Sequence, residues 1–511
     1  MKIRFVTLGC KLNFAESSAI GKALLQQGHT RAKQGEEADI CVINTCSVTD
    51  NADHKDRQTI HRIHRQNPNA IIIVTGCYAQ LQPEQIAQIE GVDYVLGQNE
   101  KYDIAQLVDE LCDRTLQKEL QNASNGYSLE AKRREGERRE AKGERQDGKI
   151  HVCAIREVEE FHGAYSKDDR TRCFLKVQDG CNYFCTYCTI PYARGKSRNP
   201  RISEVVINAK QALAEGAKEI VLTGVNIGDF GRSTGESFID LLKALDSLET
   251  PMRQTARNLH KSFCNDSDCI ATAPHFGNIQ NATAESSINE ARGERREARG
   301  DGQEARGDGQ EARGMDYRIR ISSCEPNLLT DEIIDFVAHS KHFAPHFHIP
   351  LQSGSNEVLS IMKRRYTREL FEERVKHIKQ VMPHAFIGVD CMVGVRGETE
   401  ECFNDYVEFI KRLDVSQLHV FTYSERANTR MLELDVCVVP KAERQRRSKI
   451  LHEISEEKTQ TFYANQAGRE VVVLWESKKE GDQMAGFTEN YVKVHRPYDK
   501  AKVNTFEVIR L

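Results

Sequence analysis

At 511 residues the chain has the length of two to four domains and enough apolar residues for a well-buried core. A net charge of −4, from 72 basic and 76 acidic residues, excludes a globally basic nucleic-acid binder, so any contact with RNA has to come from local patches. No run approaches the roughly 18 apolar residues of a membrane span and Met1–Leu8 is too short for a signal peptide, so a cytosolic protein is expected, whose sixteen cysteines imply metal or redox chemistry rather than disulfides.

Lys2–Thr7, Asp39–Asn44 and Ala70–Thr75 are short apolar, β-branched runs, and the segments between them carry helical patterns such as Phe14, Ile20, Ala23 and Leu24. This β-α-β-α-β order predicts a parallel sheet whose strand-end loops open on one edge, where open α/β folds place their ligands. Cys10, Cys46 and Cys77 stand in those loops. A lone cysteine is usually a small buried hydrophobe, but equivalent positions in three successive units predict a three-thiolate site for an iron–sulfur cluster. Ser128–Gly148 follows, dense in Glu, Arg, Lys and Gly, a composition that cannot offset its ordering entropy, and it reads as a disordered insertion in a linker.

Six strand–helix units come next, with strands expected at Cys173–Val177, Glu219–Thr223, Arg318–Ser322, Phe347–Pro350, Ala385–Asp390 and Gln417–Thr422. They predict an incomplete (β/α)6 relative of the eight-fold barrel, with active-site groups at the carboxyl ends of the strands. Directly after the first strand stands Cys181-Asn182-Tyr183-Phe184-Cys185-Thr186-Tyr187-Cys188. Three thiolates so spaced can hold three irons of a [4Fe–4S] cluster and leave the fourth open, whereas structural zinc wants four ligands in two close pairs. The C-x3-C-x2-C spacing resembles the signature of radical S-adenosylmethionine (SAM) enzymes. On that reading Tyr187 packs against the SAM adenine or shields the cluster from water. Gly224, Asn226, Ser323, Glu325, Gln352 and Asp390, at the ends of later strands, are candidate SAM contacts, although turn chemistry and helix capping use the same residue types.

Arg194, Lys196, Arg198 and Arg201 follow the cluster motif as candidates for the SAM carboxylate or for RNA phosphates. Lys363-Arg364-Arg365-Tyr366 and the helix bearing Lys55, Arg57, Arg62 and Arg65 are read the same way, against a solvated face as the plain alternative. His346 and His348 alternate along a strand and read as barrel residues rather than ligands. Pro251–Gly314 separates a helix from the third strand. Within it Glu-Ala-Arg-Gly recurs from Glu290, Glu297, Glu304 and Glu311, but no apolar residue larger than alanine stands at any repeating position, which excludes a coiled coil and predicts a second disordered insertion. Cys264 and Cys269 lie there without partners for a metal. From about Gly468, alternation at Val471, Val473 and Trp475 predicts a small antiparallel barrel. Tyr491, Lys493, Arg496 and Tyr498 mix aromatic and basic groups as a single-strand RNA surface would.

Gly9-Cys10-Lys11-Leu12-Asn13, Asn44-Thr45-Cys46-Ser47-Val48-Thr49, Val74-Thr75-Gly76-Cys77-Tyr78-Ala79-Gln80, Gln178-Asp179-Gly180-Cys181 through Arg194-Gly195, and Leu351-Gln352-Ser353-Gly354 resemble the blocks of the radical-SAM methylthiotransferase family. G-C-K-L-N resembles the branch acting on tRNA that carries threonylcarbamoyladenosine; other branches act on isopentenyladenosine or on a ribosomal protein. The resemblance implies that Cys181, Cys185 and Cys188 hold the cluster that binds and cleaves SAM. It implies that Cys10, Cys46 and Cys77 hold an auxiliary [4Fe–4S] cluster carrying the sulfur. It also implies a terminal TRAM-type RNA-binding module, a tRNA substrate and an external flavodoxin- or ferredoxin-type reductant. The expected domains are 1–113 (auxiliary cluster), 114–167 (linker), 168–439 (barrel, interrupted at 251–314) and 440–511 (a connecting helix and the TRAM-like module). Gly394–Thr399 lacks a Phe-Pro pair common in relatives, Ser424–Thr429 has Ala-Asn where Pro-Gly is usual, and Cys324 replaces an aliphatic residue. Outside this class, the rival reading is a zinc-containing RNA-binding protein.

Overall fold

In a computed structural model of the chain, residues 1–33, 35–124, 149–166, 171–249 and 316–511 are described. The segments expected to be disordered, together with Cys264 and Cys269, lie outside those residues. The amino-terminal strands β1 (Lys2–Thr7), β2 (Thr30–Arg31), β3 (Ile40–Thr45), β4 (Ile71–Gly76), β5 (Tyr94–Leu96) and β6 (Ile150–His151) form one parallel sheet in the order β2-β1-β3-β4-β5-β6. β3 and β4 are Ile/Val runs buried on both faces, as crossover helices on either side require. Helix α1 (Lys11–Gln26) follows β1, α2 (Asp50–Gln66) follows β3, and α3 (Cys77–Leu81) follows β4. Thr49 starts α2 by accepting from the Ala52 amide, whereas α1 begins after Cys10 with no side-chain cap.

Strands β8 (Arg172–Lys176), β9 (Glu219–Thr223) and β10 (Arg318–Ile321) pair in parallel, with the short β7 (Ala164–Tyr165) antiparallel at the edge. A second parallel sheet holds β11 (His346–Gln352), β12 (Phe386–Val393) and β13 (Gln417–Thr422). The two are bridged at Ser323 and His348, so the six strands form a half-barrel with a seam at that point instead of a continuous ladder. The helices Phe238–Asp246, Asp331–His339, Arg368–Val381 and Glu400–Arg412 start at Ser237, Thr330, Thr367 and Thr399, each accepting from a first-turn amide. Side-chain alternation sorts the strands. Leu175, Ile220, Leu222, Ile319, Ile321, Phe347, Ile349, Ile387 and Val389 pack outward in the apolar core, and the lumen face carries Lys176, Glu219, Arg318, Arg320, His348, Asp390 and His419.

The tail is a four-stranded antiparallel sheet, order β16-β15-β14-β17, of β14 (Glu470–Glu480), β15 (Gln483–Phe487), β16 (Lys493–Pro497) and β17 (Phe506–Arg510). It docks on the amino ends of the barrel strands. Arg318 donates to the carbonyls of Val472 (3.1 Å) and Phe487 (3.2 Å), and Arg320 to those of Glu489 (3.0 Å) and Thr488 (3.3 Å). Both guanidinium groups also meet the buried Glu219 carboxylate. At the same end, the Tyr317 hydroxyl lies 3.0, 3.2 and 3.4 Å from the carbonyls of Leu245, Asp246 and Leu248, which pins the strand β10 entry to the end of the preceding helix. Among the described residues no helix is long and apolar enough to cross a membrane.

Candidate active site

Cys10, Cys46 and Cys77 stand at the carboxyl ends of β1, β3 and β4, as the crossover topology requires. Gly9, at φ +93°, lets the chain turn against Cys46, whose Sγ would lie 2.9 Å from an added Cβ. Cys46 and Cys77 are enclosed; burial, then the neighbouring thiols Cys77 and Cys10, push the Cys46 thiol up to about 12. Gln98 lies 3.8 Å from Cys77 Sγ, and Asn13 sits 3.8 Å from Cys10 Sγ while donating to the carbonyls of Leu8 and Thr45.

The second set follows β8. Gly180, at φ +68°, approaches the Lys196 carbonyl so closely that a Cβ would collide with it, and the Cys181 amide donates to Gly195 at 3.0 Å. Gln178 braces this turn. Its amide N–H donates to Gly180 (2.7 Å) and Asp179 (2.9 Å), and its carbonyl oxygen accepts from the Val225 and Asn226 amides after β9. Burial raises the Cys181 thiol to about 11 and, with the neighbouring Cys185, the Cys188 thiol to about 12. Arg364 donates to Cys185 Sγ (3.2 Å) and Tyr187 Oη (3.3 Å) and pairs with the Glu325 carboxylate.

Among the described residues, the one grouping of three histidine, cysteine or acidic side chains whose ligand atoms lie within 4.8 Å of one another is His348, Asp390 and His419.

A buried ion network joins the two sets. Arg194 donates to Asn13 Oδ1 (2.6 Å), to Glu16 (3.0 Å) and to Asp179 (3.0 Å), the residue two before Cys181. Lys176 meets Glu16 at 3.1 Å and Asp179 at 2.8 Å, Lys101 meets Glu16 at 2.8 Å, and Arg198 meets Asp179 at 3.1 Å. Burial alone would raise the two carboxyls, but Arg194 and Lys176 hold both well below the usual range. The cations Arg194, Arg198, Lys176 and Lys101 outnumber the anions Glu16 and Asp179, a surplus of positive charge beside Cys77 and Cys10 that suits a thiolate-ligated, electron-rich group. Thr189, after Cys188, donates to the Ser47 carbonyl at 3.4 Å, and α3, beginning at Cys77, packs on the helix Ile190–Arg194.

Several residues named from the sequence are placed differently from their expected roles. Arg194 and Arg198 have their guanidinium groups committed to this network and to main-chain carbonyls, which leaves them no face for RNA; Lys196 and Arg201 are exposed. Tyr491 turns into the barrel floor against His346, Phe386 and Phe487, and its hydroxyl accepts from Arg172 at 3.1 Å. Lys493 pairs with Glu480 at 3.0 Å and Arg496 with Glu507 at 2.6 Å. Lys55, Arg62 and Arg65 are exposed on α2, while Arg57 donates to Tyr78. Arg364 belongs to the Cys185 surroundings, which its basic run did not reveal, and Arg365 lies 4.1 Å over the Tyr183 ring.

The strand-end candidates line the lumen mouth. An added Cβ on Gly224 would press on Gln178 at 2.9 Å. Asn226 Oδ1 and Gln352 Oε1 are buried with no hydrogen-bond partner among the described residues. Ser323 bridges to His348, whose Nε2 lies 2.7 Å from Asp390 Oδ1; His419 Nδ1 is 3.2 Å from the same oxygen. His348 thus pairs with a carboxylate inside the barrel, where the alternation put it, and His346 is a buried floor residue. Cys324 is buried and its thiol pushed up by burial.

A half-barrel with three thiols in the loop after its first strand is the architecture of a radical SAM enzyme, a class that binds a [4Fe–4S] cluster and SAM. Residues 2–97 match the model described as Uncharacterized protein family UPF0004, and residues 288–410 match the Radical SAM superfamily, a match that covers the later half-barrel and does not reach Cys181–Cys188. The chain is 33% identical to the threonylcarbamoyladenosine tRNA methylthiotransferase MtaB of Bacillus subtilis (strain 168), over 96% of this chain and 89% of that one. It is 31% identical to the protein of the same name from Aquifex aeolicus, over 97% of each. A tRNA-2-methylthio-N(6)-dimethylallyladenosine synthase from Pelotomaculum thermopropionicum is 27% identical, over 95% of this chain and 88% of that one. The chain belongs to the radical-SAM tRNA methylthiotransferase family.

Proposed function

We propose that the protein installs a methylthio group on carbon 2 of N6-threonylcarbamoyladenosine at position 37 of tRNA. Cys181, Cys185 and Cys188 would hold the SAM-binding cluster and Cys10, Cys46 and Cys77 a second [4Fe–4S] cluster. The observation that carries this reading is the juxtaposition of the two cysteine sets through Arg194, Glu16 and Asp179. The substrate follows from the two relatives above 30% identity, both named for threonylcarbamoyladenosine.

Carbon 2 of adenine bears a C–H bond beyond acid–base catalysis; the loaded sites supply a SAM-derived radical at one set and methylated sulfur at the other. The chain's own residues position these reactants. Arg364 fixes Cys185 and Glu325; Gln178 sets the cysteine turn against the end of β9; Asn226 Oδ1 and Gln352 Oε1 offer unspent acceptors to SAM donors. Gly224, Ser323, Asp390 and Tyr187 complete that wall. The exposed Lys55, Arg62, Arg65, Lys196 and Arg201 supply the local positive charge for tRNA phosphates that the overall balance of −4 does not. An external flavodoxin- or ferredoxin-type donor delivers the electron. The division at 1–113, 168–439 and 440–511 belongs to the same proposal.

The test is anaerobic reconstitution with iron and sulfide, then iron quantitation and nucleoside mass analysis of threonylcarbamoyladenosine-containing tRNA. Wild type should load two clusters and make the methylthio product. Cys10→Ala should still cleave SAM while losing sulfur transfer, and Cys185→Ala should lose both. A Cys10→Ala protein that still forms product removes the second cluster from this reading, and activity confined to isopentenyladenosine tRNA moves the substrate.

A further inference from the structure

Lys11 follows Cys10 directly and occupies the first helical position of α1. Three and four residues on, on the same helical face, Phe14 and Ala15 pack against Phe174 and Val221 of the half-barrel. This carries the lysine side chain into the lumen. The charges that act on it come from four strands, Arg172 of β8, Glu219 of β9, Arg320 of β10 and Asp390 of β12, and it acts in turn on His346 of β11.

Each of those charged neighbours is already paired. Arg172 meets Glu476 at 3.0 Å and the Tyr491 hydroxyl; Arg320 and Glu219 pair with each other; Asp390 is covered by His348 and His419. Lys11 is not: among the described residues no hydrogen bond or ion pair reaches its ammonium, and its side chain is accessible to solvent. An uncommitted cation, held in a lumen and covalently adjacent to a cluster thiol, awaits an anion that arrives with the substrate.

Adenine and an isopentenyl substituent are neutral. The threonylcarbamoyl group ends in an α-carboxylate. We propose that Lys11 pairs with that carboxylate and so selects threonylcarbamoyladenosine over adenosines with uncharged N6 substituents, while drawing the base toward the Cys10 site. The inference rests on the substrate reading above and adds to it a specificity-determining residue.

Wild type, Lys11→Gln and Lys11→Arg are compared on tRNA carrying threonylcarbamoyladenosine and on the same tRNA with the threonyl carboxylate converted to its methyl ester. Rates are taken per mole of cluster-loaded protein. Wild type should favour the free carboxylate by about tenfold or more in kcat/KM, as a charge-assisted hydrogen bond implies. In Lys11→Gln the two substrates should become equal, and Lys11→Arg should recover part of the preference. Wild type that does not distinguish the two, or Lys11→Gln that keeps the preference, overturns the assignment while leaving the substrate intact. A fall in tRNA-independent SAM cleavage in Lys11→Gln would overturn it by giving the lysine to the SAM carboxylate. Wild type active on isopentenyladenosine tRNA alone would remove the substrate reading, and the assignment with it.

Discussion

Removing Arg194 would leave Glu16 and Asp179 buried without their main counter-charge, a loss that breaking a buried pair sets at about 3–5 kcal/mol. Arg194→Met should therefore lower the thermal midpoint of the reconstituted protein, and adding Glu16→Gln in the same chain should recover part of it. Recovery is the readout, because a phosphate-binding role for Arg194 would leave the midpoint of Arg194→Met unchanged, with no loss for Glu16→Gln to recover. The places of the cysteines were legible, Cys181, Cys185 and Cys188 from their local spacing and Cys10, Cys46 and Cys77 from the ends of successive strands. Arg194, Arg198 and Arg364 were not. A basic run reads alike whether it faces water or carboxylates, and the partners Glu16 and Glu325 lie 178 and 39 residues away in the chain. Asn428 shows a local rule surviving a departure: it takes the glycine position of its loop at φ +65°, a conformation that asparagine tolerates better than other side chains.

The turn between β8 and Cys181 is the element on which the placement of Cys181, Cys185 and Cys188 depends. Its glycine is required twice, by the positive φ and by the contact with the Lys196 carbonyl. Gly180→Ala should shift the cysteine turn and lower iron content to that of the Cys10, Cys46 and Cys77 site alone, with SAM cleavage lost. Iron retained at the wild-type level would show that the turn relaxes without cost. Element boundaries were readable to within a few residues: β1, β9 and β13 match their expected spans, because short β-branched runs between turn residues leave little ambiguity. The seam between β10 and β11 was not readable. Both strands have the same alternation, and whether two adjacent strands share a full ladder or one bridge depends on packing that sequence periodicity does not encode.

At the scale of the whole molecule, the tail sheet forms the floor of the half-barrel. Glu219 pairs with both Arg318 and Arg320, which bind the tail carbonyls, so the floor is an acid-sensitive joint. Burial would raise the Glu219 carboxyl, yet Arg318 and Arg320 depress it below its ordinary 4.5; its stabilisation is complete above that pH and is lost as pH falls through the depressed folded value. The midpoint gap between wild type and Glu219→Gln should be largest near neutrality and shrink on acidification below about pH 4; a constant gap would assign Glu219 a packing role. The sequence marked the tail as a separate unit and offered Tyr491 to RNA, since an aromatic beside basic residues looks the same on a binding face and in a plug between two sheets. One further consequence belongs to the Tyr317 clasp. Its hydroxyl holds the two ends of the chain that flank residues 250–315 together at the barrel floor, away from the cysteine loops, while β9 and β10 pair across the same gap from Glu219 and Arg318 onward. Two separate polypeptides, one ending near Glu249 and one beginning near Asp316, would each carry one side of that clasp and of the β9–β10 ladder, so co-expressed halves should associate into one particle; halves that stay apart on size exclusion would show that the covalent link is needed.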